Sequence, residues 1–388
     1  MRVLFTILPL SGHFYPLVPF ARALAAAGHD VAFAAPAFFA SPVEGADFRF
    51  FPAGLAQTID ELYPRSHTLS HPEQVTFWRE LFTDLWPRHT IPDLLALAAT
   101  WQPDLIVREN MEYGGCIAAE RLGLPHAVVA VNVVSEFIPA DQLAAPLNAQ
   151  RAAFDLPPEP GMAMLYRYLR LCPFPPGLQD PALPVTPTTH YLRPMLGDHS
   201  GPEGLPPWAE SLPDRPVVYV GMGTTFNKPE VFRAFIAGLR DDALTLIVTV
   251  GRDQAPVDYG PQPENVHIER YIPLSLLLPH CDLVVTNGGS GTLVAALGHG
   301  LPLVVVPIAA DHPQNAARCM ALGLGKVVMP ADLTPESARD AVLGVLGDPT
   351  YRRNAERLRD EMAALPGPEH AVELLERLAR ERQPLMRV

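Results

Sequence analysis

Basic residues are scarce in this chain. Its 29 Lys and Arg stand against 42 Asp and Glu, a net charge of −13 over 388 residues. No Lys/Arg stripe is visible, which argues against nucleic acid and anionic membranes as partners. A phosphate site must then be assembled locally, mostly from backbone donors. Cysteine is also rare. Cys116, Cys172, Cys281 and Cys319 lie far apart, so CxxC and zinc-type spacings are excluded and a disulfide framework is not expected. Buried thiols in a reducing cytoplasm are the plain expectation. No Asp-x-Asp pair and no metal-spaced His/Cys/Asp cluster occurs, so no metal is expected. No 18-residue apolar run exists, so no membrane span is expected. The opening MRVLFTILPLSGHF lacks a small-residue cleavage site and reads as a first strand rather than a signal peptide.

What is present is core-forming material. Hydrophobic residues make up 48% and charged residues 18%, and the length favours two domains. Val3–Leu8 is continuously apolar, as in a strand buried on both faces. Ser11-Gly12-His13 follows, then Pro16 at a first helical turn and Leu17, Phe20, Ala21 and Leu24 at helical spacing, closed by Gly28. Val31–Ala35, Asp104–Val107 and Ala127–Val131 read as further strands, with a helix over Gly115–Leu122. The stretch from Leu156 to Pro216 is dense in proline and glycine and reads as irregular connection. Alternation then restarts, with strands at Val217–Val220, Leu244–Val250, Leu283–Thr286 and Leu303–Val306. The pattern predicts an α/β protein of two doubly wound parallel sheets facing across a cleft. The expected division is residues 1–200, a linker at 201–216, residues 217–368, and a charged C-terminal helix over 369–388 that packs back on the first half.

The most informative motif is Thr286-Asn287-Gly288-Gly289-Ser290-Gly291-Thr292. A strand runs into glycines and an apolar helix follows, a geometry that presents free N–H groups and a helix dipole to an anion. Ser290 and Thr292 add hydroxyls. A nicotinamide cofactor is a competing ligand, because Asp311 falls about 20 residues past Gly291. Against it, Val294 stands where a third glycine belongs, and the loop comes late in the chain.

An ordered set of segments then resembles the bacterial natural-product glycosyltransferases, the macrolide and polyketide tailoring enzymes of the two-Rossmann GT-B fold. The set is Gly12-His13, Gly28-His29-Asp30-Val31, Pro103-Asp104-Leu105-Ile106-Val107, Gly221-Met222-Gly223-Thr224, Arg270-Tyr271-Ile272-Pro273, the 286–292 loop, Gly300-Leu301-Pro302, Asp311 and Asn315-Ala316. The resemblance covers nearly the whole chain and displaces the nicotinamide reading. It implies an acceptor-binding first half and a nucleotide-sugar-binding second half. His13 resembles the general base, and Glu109 stands near the family's Asp that orients it, with Glu112 and Asp104 as rivals. Thr224 resembles a phosphate-contacting hydroxyl, Tyr271 the aromatic that stacks on the base, and Ile272 the residue whose backbone reads its edge. Asp311 resembles the residue that bonds sugar hydroxyls.

Three departures bear on the donor. Asn287 stands where relatives carry a phosphate-contacting histidine, and His312 stands where they carry glutamine. Ala295 replaces the acid that ribose-nucleotide relatives use. The resemblance therefore implies a deoxyribose donor such as a dTDP-sugar, with a UDP-sugar as the alternative. The expected reaction is an inverting, metal-independent transfer. Glu373 and Glu381 match a spacing of retaining relatives but sit on a charged surface helix. Phe77, Trp78, Phe82, Trp86, Met111, Tyr113 and Phe137 supply large apolar side chains for a bulky acceptor. A non-catalytic transferase-like partner protein is the remaining alternative, kept open by Asn287 and His312.

Overall fold

In the computed structural model the apolar run after Met1 becomes β1 (Arg2–Thr6), with Val3, Leu4 and Phe5 fully buried. The structure describes residues 1–58, 61, 71–133, 140–195, 204–223, 227–251 and 253–387. β2 (Asp30–Ala35) and β3 (Arg49–Pro52) extend the sheet on one side of β1. β4 (Leu105–Glu109) and β5 (His126–Val129) extend it on the other. The proline-rich stretch is not all irregular. It contributes β6 (Leu169–Cys172) and β7 (Thr189–Tyr191), which complete a seven-stranded sheet. Both strands are short, with Pro173 after β6 and Pro187 and Pro194 around β7, so neither shows a run long enough to be read as a strand.

The second sheet has six strands in the order β10-β9-β8-β11-β12-β13. These are β8 (Val217–Gly221), β9 (Thr245–Thr249), β10 (Val266–Glu269), β11 (Leu283–Thr286), β12 (Leu303–Val305) and β13 (Gly325–Val327). Strand pairing is parallel in both sheets, with Phe5 opposite Val107 and Thr286 opposite Gly221. These are two Rossmann-like domains. In each, the strand order reverses once, between β1 and β4 and between β8 and β11. Such switch points open a crevice at the strands' carboxyl ends, where ligands bind in open α/β sheets.

The helix after β1 begins later than its proline suggests. A short helix at Ser11–Phe14 comes first, and the main helix spans Val18–Ala26, with Pro19 in its first turn. The C-terminal helix, Pro368–Glu381, buries Ala371, Leu374, Leu375 and Leu378 in the same cluster as Phe5, Phe14, Leu17 and Phe33 of the first half. Its His29–Glu376 contact, 2.9 Å, adds a polar tie. Glu373 pairs with His370 and Glu381 with Arg377 on its surface. A second cluster joins Val133, Phe174 and Leu178 to Leu293, Leu297 and Leu358, so buried apolar surface bridges the two sheets. All four cysteines are unpaired and buried. Burial pushes the thiols of Cys281 and Cys319 up to about 12, which leaves them unreactive at neutral pH. Among the described residues, no helix is long and apolar enough to cross a membrane.

Candidate active site

The two strands that flank the first switch point supply a histidine and a carboxylate. His13 lies just beyond β1, on the Ser11–Phe14 helix, and Glu109 is the last residue of β4. His13 Nδ1 sits 3.1 Å from Glu109 Oε1, with the carboxylate fully buried and the ring 14% exposed. The pair is within contact distance but off hydrogen-bond alignment, since neither atom has an aligned partner. The other oxygen, Oε2, accepts from Met111 N at 2.6 Å. That bond fixes the carboxylate, so the histidine is the side chain with room to adjust. The rivals are placed elsewhere. Glu112 accepts from Thr6 Oγ1 at 2.5 Å and from Gly115 N at 2.8 Å, and burial pushes its carboxyl up. A Cβ on Gly115 would stand 2.3 Å from Thr6 Oγ1, so this packing requires glycine there. Asp104 caps the opposite end of the strand, accepting from Arg2 N at 2.6 Å.

Arg108 is not the surface partner its neighbourhood suggests. It is fully buried, and Nη1 donates to the carbonyls of Glu109, Asn110 and Glu112 at 3.0, 3.2 and 3.4 Å. Nη2 donates to Leu165 O at 2.5 Å. One guanidinium thus clamps the loop that carries Glu109.

At the second switch point, β11 runs into Asn287-Gly288-Gly289 and the helix Ser290–Gly298. Gly288 has φ +87°, and a Cβ there would meet Val305 Cγ1 at 2.9 Å, so no other residue fits. Asn287 braces the backbone. Its Nδ2 donates to Met222 O at 2.6 Å, and its Oδ1 accepts from Gly289 N at 3.0 Å. Gly288 N donates to Thr286 Oγ1 at 3.2 Å. The two glycine amides are therefore engaged inside the loop. The N–H groups left to face an anion are those of the first helical turn, Ser290, Gly291 and Thr292, which have no intrahelical acceptor. Gly291 is exposed and its Cα faces open space.

Ser290 is engaged with the protein as well. Its hydroxyl donates to Asp311 Oδ2 at 2.8 Å and accepts from Val133 N at 2.9 Å. Asp311 Oδ2 takes two further bonds, from Asn315 Nδ2 at 2.9 Å and Asn132 Nδ2 at 3.2 Å. Asn132 accepts from Asn110 Nδ2 at 3.4 Å, and Asn110 Oδ1 accepts from Val131 N at 2.9 Å. A run of hydrogen bonds therefore links the residue next to Glu109 to the expected sugar-binding carboxylate across the domain boundary. Asn110 and Asn132 were not legible as site residues. The only signal is that each stands just past a strand end near the switch point.

Tyr271 is half-buried just beyond β10, and Ile272 is buried. Ala295 is buried in the second cluster. Gly12 is exposed beside His13. On the acceptor side, Met111 and Tyr113 line a cavity of about 480 Å³ with Leu143, Met162, Leu165 and Tyr166. Phe77, Trp78, Phe82 and Trp86 form a separate aromatic ladder, with successive centroids 5.2 to 5.4 Å apart, crossing a π-helical turn at Leu81–Leu85. Thr224 and Phe137 lie outside the described residues. Among the described residues, no group of three or more His, Cys, Asp or Glu is placed to hold a metal.

Two family models match this chain, the N-terminal domain of erythromycin biosynthesis protein CIII-like proteins over residues 22–223 and their C-terminal domain over residues 239–378. The chain belongs to this family of natural-product glycosyltransferases. The transferase is 30% identical to 4'-demethylrebeccamycin synthase of Lentzea aerocolonigenes, over 97% of this chain and 99% of that one. It is 32% identical to L-demethylnoviosyl transferase of Streptomyces niveus, over 95% and 96%. The solved structure of glycosyltransferase VinC in complex with dTDP superposes with a TM-score of 0.79 at 26% identity, covering 98% of this chain and all of that one (100%). The GT-B fold is thus shown by sequence and by structure.

Proposed function

We propose that this glycosyltransferase moves a deoxysugar from a dTDP-sugar to a bulky apolar acceptor, with inversion at the anomeric carbon and without a metal. The observation that carries the reading is the His13–Glu109 contact of 3.1 Å at one switch point, with the adjacent Asn110 hydrogen-bonded through Asn132 to Asp311, which accepts from Ser290 of the loop at the other. Glu109 faces Nδ1, so it holds a proton there and leaves the Nε2 lone pair to act as base. Nε2 takes the proton of an acceptor hydroxyl as its oxygen attacks the anomeric carbon. The bond from that carbon to the diphosphate oxygen breaks, and its electron pair stays on the phosphate. The N–H groups of Ser290, Gly291 and Thr292 and the helix dipole meet the departing charge. Asp311 bonds sugar hydroxyls, Tyr271 stacks on the base and Ile272 reads its edge. A dTDP complex of a structural neighbour and the missing acid at Ala295 both support thymidine over uridine.

Turnover of dTDP-sugars against a panel of polyketide and aromatic acceptors tests this, with the product's anomeric configuration read by NMR. The configuration opposite to the donor's is expected. Retention at the anomeric carbon would end the single-displacement reading.

The interdomain bond gives a second expectation. Asn132→Ala removes one donor from Asp311 and should raise the KM for the dTDP-sugar about 5- to 10-fold, the scale of one hydrogen bond. The melting temperature should hardly move, because Asn132 is only partly buried. An unchanged KM would show that the contact does not orient Asp311.

A further inference from the structure

The loop amides and the Asn287 side chain are committed to bracing the loop, yet one imidazole stands over it. His312 opens the His312–Ala321 helix and is buried, at 4% exposure. Its Nδ1 accepts from two backbone donors, Ala309 N at 3.1 Å and Ile308 N at 3.4 Å. An Nδ1 that accepts carries no proton, so the neutral ring must carry its proton on Nε2. Burial favours that neutral form, since it pushes the His312 pKa down. Nε2 lies 3.8 Å from the point a Cβ on Gly289 would occupy, directly beside the anion loop.

We propose that His312 Nε2–H donates to the diphosphate of the bound nucleotide, supplying the side-chain donor that Asn287 does not. The inference rests on the donor reading above and adds to it a specific atom and bond. The imidazole keeps its proton throughout. It stabilises the charge that builds on the phosphate oxygen as the sugar leaves. The two ring nitrogens have separate tasks, so two substitutions separate them. Gln places an amide N–H near the position of Nε2. Asn places an amide oxygen near the position of Nδ1 and reaches no further.

Calorimetric binding of dTDP and of thymidine monophosphate is the test, beside the melting temperature of each variant without ligand. His312→Gln should keep dTDP affinity within about 3-fold while melting lower, because the two backbone donors lose their acceptor. His312→Asn should melt near wild type and lose dTDP affinity about 10-fold or more, the scale of a hydrogen bond to a charged group. Its affinity for the monophosphate should be little changed. Wild-type dTDP affinity in His312→Asn, or equal losses for the two nucleotides, would assign His312 to loop structure alone and overturn the proposal. If the wild-type protein bound neither dTDP nor UDP, the donor reading itself would fall, and this inference with it.

Discussion

His13→Ala is expected to turn over about 10²- to 10⁴-fold more slowly than the wild type, the range that one general base contributes. Affinity for dTDP should stay near normal, because the donor loop lies on the other sheet. Stability should also hold. The ring is partly exposed on a four-residue helix, and its contact with Glu109 is off alignment. A buried carboxylate loses its neighbour in this variant, but Met111 N still bonds its other oxygen. Single-turnover kinetics at saturating dTDP-sugar would isolate the chemical step. Near-normal turnover with an intact fold would remove His13 from the mechanism.

Arg108→Met should be the most damaging change to the fold among the site's neighbours. Methionine keeps apolar bulk but leaves the carbonyls of Glu109, Asn110, Glu112 and Leu165 without this donor. Removing a buried charge recovers some desolvation energy, which on its own favours the variant. Here the losses win. Each buried acceptor left unpaired costs about 1–3 kcal/mol, and the cation also faces Glu112, where it opposes the upward push of burial on the carboxyl pKa. A net loss of about 3–5 kcal/mol is expected, among the larger effects of single substitutions. Urea unfolding measures it directly. An unfolding free energy within about 0.5 kcal/mol of wild type would mean that the carbonyls find other donors. Loss of activity should accompany the loss of stability, since the same loop carries Glu109.

The strands that build both switch points were readable because they are buried on both faces. Val3–Phe5, Leu105–Val107 and Leu283–Val285 each leave a short, continuous apolar trace. β3, β6, β7, β10 and β13 were not readable. They are short edge or near-edge strands carrying Pro52, Arg170, His190, His267 and Lys326, and tertiary pairing overrides their weak local preference. For the site, residue type and order sufficed to select His13, Glu109 and the 288–292 loop. Which atoms of that loop are spent internally could not be read from the sequence. Asn287 and Ser290 carry groups suited to phosphate, but each turns to the protein. That choice depends on Met222 and Val133, which are distant in sequence. Distant segments decide the role of Arg108 in the same way. A lone arginine beside a glutamate normally marks a surface pair, and only the covering Leu165 segment makes this one a clamp.

The proposed ligand of the loop at Ser290–Thr292 is a thymidine diphosphate sugar. Thermal unfolding with dTDP, UDP and NAD side by side tests it most directly, because a ligand that binds only the folded state stabilises it by about 2.7 kcal/mol at 100 times its Kd. The largest rise in melting temperature is expected with dTDP, a smaller one with UDP and none with NAD. A larger rise with UDP would contradict the deoxyribose preference drawn from Ala295, and a rise with NAD alone would contradict the donor site itself.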